Sequence, residues 1–420
     1  MKNLFLTVFI IWFSACETKS QSTTNSDNKN TYVFIAGVLA WEKGLDPFEK
    51  ENRKDQELYN QFKKLGVPES NMVLLLDTKA TLKNIKTELE TLCSKAGEGS
   101  TLIFYYAGHG MKDKKGKTFF ANFDINPDAP DLTGLDVSLI SSIINSKFNG
   151  STVWLTADCC YSGALISEGE KIKNKKVLVS TSATSSNTST GNWTFSQTMI
   201  DCLSGLALAD RNNDGLITAS EWKQELMDAM KYREQQQCGF KLYNLPETYF
   251  IAKATGRHPS TGDNEYPAGC YVRALNGSKK ETARITAKAG NDYSCEFYNY
   301  SDKNILALTK DKLIPIHFIS YPTGSEVEVL WSGEFYKAKI LKSEDGFHYI
   351  TYPGYESYWD EWVMYDRIKT GKEKKAKAEN KGQWYDALVL EEKDGNYFVR
   401  YDGYGIDWDE WVGKEKIKFQ

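Results

Sequence analysis

The sequence predicts an α/β domain, with a mostly parallel sheet covered by helices on both faces, followed by two or three small β-barrels. From residue 32 short apolar runs, without polar alternation, take turns with amphipathic stretches. That is the pattern of buried strands joined by helices. Near the end the chain repeats itself at an offset of 49 residues, in units too small for helix packing. Six of the 11 tryptophans fall in that tail, which marks it as a separate module.

The first stretch, "MKNLFLTVFIIWFSAC", has one lysine, an apolar run and small residues before Cys16. The run is too short to span a bilayer and reads as a cleaved export signal over residues 1–15. Its ending resembles the lipobox of bacterial lipoproteins, with Phe13 where that family usually has Leu. The resemblance implies lipidation of Cys16 and attachment to a cell-envelope membrane, on the periplasmic face or the cell surface. Residues 16–30 are polar and suit a flexible tether. Export permits disulfides. Of the eight cysteines, Cys270 with Cys295 is the pair to examine first, although free buried cysteine is the commoner outcome. The net charge of −4 argues against nucleic acid as a partner.

The next elements follow in order. "TYVFIAGV", "NMVLLLD", "STLIFYYAG", "STVWLTAD" and "KKVLVSTSA" read as strands. "DQELYNQFKKLG", "TLKNIKTELETLCSKAG" and "LDVSLISSIINSKF" read as helices. Chemistry in such sheets gathers at the carboxyl ends of strands. "AGHG" and "DCCYSG" both lie at such ends, so two distant loops can share one crevice. His109 is the one imidazole of this region, and a thiol at 159 or 160 needs it as base or as imidazolium. Gly110 lets backbone approach a substrate, and its N–H suits an oxyanion hole.

"YYAGHG" together with "DCCYSG" resembles the caspase and metacaspase group of cysteine peptidases. "VSTSATSSNTSTGNWTFSQTMIDCL" resembles the segment leading into that family's small subunit. The resemblance implies a caspase-like domain over residues 31–256 acting on protein or peptide substrates. It makes Cys160 the nucleophile, His109 the general acid/base, and the Gly110 and Cys160 amides the oxyanion hole. Cys159 then packs inward. Metacaspases carry acidic residues in the first specificity pocket. Asp158 matches one, and Asp124 or Asp128 in "FDINPDAPDLTG" offers a second, which implies cleavage after Arg or Lys. The charged stretch "ISEGEKIKNKKV" (166–177) is where such chains are commonly processed, and it reads as an exposed loop. Two other readings stand beside this one: a legumain-like relative with Asn/Asp specificity, and an inactive lipoprotein whose barrels bind a partner.

"DRNNDGLITASE" (210–221) puts Asp210, Asn212, Asp214, Gly215 and Glu221 at calcium-loop positions 1, 3, 5, 6 and 12. Leu216 would add its carbonyl. Calcium, structural or activating, is thus the expected ion, against a corner that keeps the loop shape without metal. No organic cofactor is expected.

In the tail, "FYKAKILKSEDGFHYITYPGYESYWDEWV" aligns without a gap on "WYDALVLEEKDGNYFVRYDGYGIDWDEWV". The two resemble Tudor-like barrels of the Tudor-knot or chromo-barrel type, over 325–370 and 374–420, with a weaker copy over 266–318. Between the two strong copies, "TGKEKKAKAENKG" reads as a solvated linker. The resemblance makes Tyr352, Tyr355, Trp359 and Trp362 candidates for an aromatic cage, with Tyr401, Tyr404, Trp408 and Trp411 in the second copy. Core packing of these rings is the competing reading. The ligand of the barrels is left open.

Overall fold

The computed structural model describes residues 28–298 and 303–420. The export signal, Cys16 and most of the tether lie outside the described residues. The α/β domain is built from β1 (Thr31–Gly37), α1 (Lys54–Lys64), β2 (Met72–Leu76), α2 (Leu82–Lys95) and β3 (Thr101–Ala107). It continues through α3 (Val137–Lys147), β4 (Thr152–Asp158), α4 (Ala164–Glu170), β5 (Lys176–Thr181), α5 (Thr194–Leu203), α6 (Ala219–Glu234) and β6 (Gly239–Tyr243). The strands lie in the order β6-β5-β4-β3-β1-β2, all parallel except β6.

Both faces of the sheet are buried, which is why its strands read as unbroken apolar runs. Along β3, Leu102, Phe104 and Tyr106 enter one core with Leu89 of α2, Ile144 of α3 and Leu165 of α4. Ile103, Tyr105 and Ala107 enter the other, with Leu58 of α1, Phe195 of α5 and Trp222 of α6. This is the two-residue period of a strand covered twice. Thr81 caps α2 by accepting the Asn84 N–H, and Asp136 caps α3 by accepting that of Ser138.

The stretch 166–177 is an exposed loop only over the turn 171–175. Its first half belongs to α4, Ile172 is buried, and Val177 already lies in β5. Asn145 of α3 ties down the turn between, through the Lys171 carbonyl and the Lys173 N–H. The polar composition belongs mainly to this turn, where Lys171, Lys173 and Asn174 are exposed.

Three antiparallel five-stranded sheets follow, within 271–315, 326–369 and 374–419. In each, the first strand lies between the second and the last. Each long second strand shifts register at the matching place, Ile285/Ala287, Ile340/Lys342 and Val389/Glu391. The weak upstream copy is therefore a full unit. The lysine-rich stretch is not a linker but partly the strand Lys374–Asn380, where buried Ala376 and Ala378 alternate with outward lysines. Cys270 and Cys295 are free thiols, as are the other described cysteines.

The sheets are docked, not strung out. Arg284 of the first forms a buried bidentate pair with Glu225 of α6, at 2.6 and 2.7 Å. Tyr232 of the same helix stacks on Tyr271 at 5.0 Å, and Lys231 reaches Asp345 of the second sheet at 2.5 Å. Lys280 and Arg273 of the first sheet pair with Glu410 and Asp407 of the third.

Candidate active site

β3 and β4 are neighbours, and their last residues, Ala107 and Asp158, are register partners. His109 and Cys160 each follow two residues later, so adjacent parallel strands deliver both turns to one end of the sheet. Gly110 makes the contact possible. A Cβ there would lie 1.9 Å from the Cys160 carbonyl oxygen. Cys159 is buried in the core beneath α2 to α4, while Cys160 is half-buried at the surface.

The imidazole of His109 is oriented from an unexpected quarter. Its Nε2 lies 3.0 Å from the Asp46 carbonyl oxygen, and Trp41 and Phe48 flank the ring at 4.5 and 4.4 Å. A carbonyl can only accept, so Nε2 carries the proton and Nδ1 of the neutral ring is left as an acceptor. Among the described residues no hydrogen bond joins His109 to Cys160. The thiol sulfur instead accepts the Ser189 N–H at 3.2 Å. Burial pushes the Cys160 thiol up, opposed by the amides of Ser189, Cys160 itself and Gly110. Backbone donors thus converge on Sγ.

Tyr161 continues the turn with a φ of 57°, a conformation that costs a side-chain-bearing residue energy. Its N–H donates to the Asn187 carbonyl at 2.9 Å, which ties the Cys160 turn to the loop carrying Ser189.

A cleft of about 630 Å³ opens beside the thiol, with Cys160, Asp158, Phe48 and Trp193 in its walls. Asp158 is buried and accepts from the Ser196 hydroxyl at 2.6 Å. Burial raises its carboxyl to about 7, against the hydrogen bonds from Ser196 and Ser182. Asp124 and Asp128 do not line this cleft. Asp124 accepts the Leu82 N–H at the start of α2, and Asp128 sits exposed in the turn after Asn126. Acidic groups in its wall come instead from Glu49 and Glu51, on the irregular loop that also orients His109.

The 210–221 loop has a calcium-loop backbone. Gly215 has a φ of 89°, and buried Asp210 accepts the N–H groups of Asp214 and Gly215. Asp210, Asn212, Asp214, Glu221 and the Leu216 carbonyl form an all-oxygen set, the chemistry calcium takes. Glu221, however, accepts from the Arg211 and Thr218 N–H groups and completes the capping box of α6. Among the described residues no three His, Cys, Asp or Glu side chains cluster closely enough to hold a metal. The strand segment Leu216–Thr218 pairs with Phe250–Lys253, which supplies the cross-strand partner for this single loop.

Two aromatic clefts lie on the second and third sheets, of about 650 and 310 Å³. Tyr352, Tyr355 and Trp359 line the first, and Tyr401, Tyr404 and Trp408 the second. Trp362 and Trp411 line neither. In the strand Glu361–Met364 alternation sends Glu361 to the cleft and Trp362 to the opposite face, against Tyr349 at 5.3 Å. Trp411 packs against Phe398 at 5.4 Å for the same reason. Trp331, Tyr336 and Tyr385 take the vacated places. The larger cleft is completed by Tyr161, Ser186 and Thr188 of the α/β domain.

Residues 59–168, which hold both turns, match the family model described as "Metacaspase, peptidase C14 domain". The chain carries a metacaspase domain. Residues 372–419 match the Tudor-knot model, described as an "RNA binding activity-knot of a chromodomain", so the C-terminal sheet is a Tudor-knot domain. Metacaspase-8 of Arabidopsis thaliana is 28% identical over 120 residues. That match covers 24% of this chain and 29% of the relative, so under a third of the relative's length is represented. Among solved structures, protein GSU0716 from Geobacter sulfurreducens is 11% identical, with a TM-score of 0.39 over 54% of this chain and 98% of that one. The Drosophila initiator caspase Dronc is 11% identical, with a TM-score of 0.34 over 54% and 84%.

Sequence reasoning missed Asp46, Glu49, Glu51, Asn187 and Ser189 around the metacaspase turns. The 38–53 loop has no periodicity to read, and its contact with His109 spans 63 residues. Tyr336 and Tyr385 carried a usable signal, since they occupy the same place in both repeats.

Proposed function

We propose that the protein is a cysteine endopeptidase that cleaves after basic residues. The observation that carries this is the meeting of the His109 and Cys160 turns on adjacent strands, with the imidazole tautomer fixed by Asp46 and backbone amides directed at Sγ. Nδ1 of His109 takes the thiol proton, and the thiolate attacks the scissile carbonyl. The Gly110 and Cys160 amides hold the resulting oxyanion. Collapse breaks the C–N bond, and His109 returns the proton to the leaving amine. A water, deprotonated by the same imidazole, then hydrolyses the thioester. Asp158, with Glu49 and Glu51 nearby, supports a guanidinium or ammonium in the neighbouring cleft.

A peptidyl acyloxymethyl ketone ending in Arg tests the reading. It should label the parent and Cys159→Ala, but not Cys160→Ala, and an Asp-ending analogue should label far more slowly. Cys160→Ala should lower peptide hydrolysis by roughly 10⁴-fold or more. Absence of labelling would instead favour a non-catalytic protein that binds a partner through its aromatic clefts, the larger of which is open and faces the catalytic turn. Two further parts of the proposal are calcium at 210–221, supported by the all-oxygen donor set, and export with lipidation at Cys16, supported by residues 1–16 alone. Release of Cys16→Ser from the membrane fraction is the readout for the anchor.

A further inference from the structure

The strand Glu361–Met364 forms an edge of the middle β-sheet, so one side of its backbone lacks a strand partner. An edge of this kind presents free N–H and C=O groups. At Trp362 both are taken by a single side chain from the metacaspase domain. The Trp362 N–H donates to Asn187 Oδ1 at 3.1 Å, and Asn187 Nδ2 donates to the Trp362 carbonyl at 2.7 Å. An amide has one acceptor and one donor end, so it reproduces what a neighbouring strand would offer. The Thr184 hydroxyl donates to the same Oδ1 at 2.8 Å and fixes which way the amide points.

The backbone of Asn187 faces the catalytic turn. Its carbonyl accepts the Tyr161 N–H at 2.9 Å, and two residues later the Ser189 N–H donates to Cys160 Sγ at 3.2 Å. The far side of the loop is held separately by Gln236, whose side chain bonds Ser189 Oγ, the Thr190 N–H and the Ser182 carbonyl. Nearest the sulfur, Asn187 ties this loop to the β-sheet domain through its two hydrogen bonds to Trp362.

We infer that Asn187 is a positioning residue for Cys160, and that the middle β-sheet, by gripping it, belongs to the catalytic apparatus. The inference rests on Cys160 being the nucleophile. Through Asn187 the edge strand sets where the Ser189 N–H meets the sulfur and how the strained turn at Tyr161 is held. The sheet thereby acts on thiol chemistry without touching substrate.

The test uses the full chain and a readout that needs no peptidase activity. Alkylation of Cys160 by iodoacetamide is followed against pH, with the modified peptide identified by mass. In Asn187→Ala the thiolate loses a fixed amide donor, so the midpoint should rise by about 0.5–1 pH unit. For a peptide substrate, kcat should fall about tenfold with KM within about twofold. Asn187→Asp keeps the acceptor but sets a carboxylate against the Trp362 carbonyl, and should shift the midpoint at least as far. Thr184→Val, which frees the amide without removing it, should shift it less in the same direction. It decides the matter if the Asn187 variants do not fold. Parental alkylation profiles in these variants would overturn the inference. A parent that alkylates at Cys160 yet cleaves no peptide would overturn the peptidase reading and the sheet's catalytic part in it, while shifted alkylation midpoints in the variants would still show that Asn187 positions the thiol.

Discussion

Asp158 is a buried carboxyl whose protonation changes in the physiological range. Its folded value, raised to about 7, lies above the roughly 3.9 of an exposed aspartate. The folded state therefore binds the proton more tightly than the unfolded chain. The stability this contributes is complete below about pH 4 and is lost as pH rises through 7. Asp158→Asn can still accept the Ser196 hydroxyl through Oδ1 but does not titrate. Its stability relative to the parent should increase from pH 5 to about pH 7 and level off above it, measured by urea unfolding at each pH. A difference that does not vary with pH would refute the assignment. Under the proposed cleavage after basic residues the same titration would bear on specificity, because only the ionised carboxylate offers two acceptors to a guanidinium.

At the scale of the element, the 210–221 loop carries both a calcium pattern and a self-sufficient hydrogen-bond set. Glu221 serves the capping box of α6 and would have to leave its amide partners to bind an ion. On the proposal that the loop takes calcium, that competition predicts weak affinity, about 10⁻⁴–10⁻³ M. Several millimolar calcium should raise the melting temperature by about 2–4 °C, and chelator should reverse the rise. Glu221→Gln should abolish it. A melting temperature indifferent to calcium would mean that the loop is held by its amides alone. The segment 166–177 makes a related point. Composition marked it as exposed, which holds for Lys171, Lys173 and Asn174 in the turn, but it could not convey that α4 and buried Ile172 hold the stretch in place.

For the whole molecule, α6 is the strut. Its first turn closes the 210–221 loop, its middle holds Arg284 through Glu225, and its last turn carries Lys231 and Tyr232 against two β-sheets. Glu225 and Arg284 are both almost fully buried. Removing one partner of such a pair strands a charge, at a cost of about 3–5 kcal/mol. Arg284→Ala should therefore lower unfolding free energy by that amount, while Arg284→Met combined with Glu225→Gln should recover much of it. A loss under about 1 kcal/mol in the single variant would show that the sheets are only loosely docked.

The sequence by itself determined the layered domain, because a strand buried on both faces must be apolar throughout and a helix on its surface must be amphipathic. It determined the repeats too, since residues 49 apart meet the same packing demands in the second and third sheets. It also placed His109 and Cys160 at strand ends, where the β3–β4 register brings their turns together. Local periodicity could not reach what depends on irregular backbone. The Asp46 carbonyl that sets the His109 tautomer, the acidic wall from Glu49 and Glu51, and the use of Asp124 as a helix cap follow from loop paths. The grip of Asn187 on Trp362 joins residues 175 positions apart through an edge strand's own backbone, which has the same donor and acceptor whatever the side chain. Only the folded chain could decide that contact, because nothing in the identity of residue 362 encodes it.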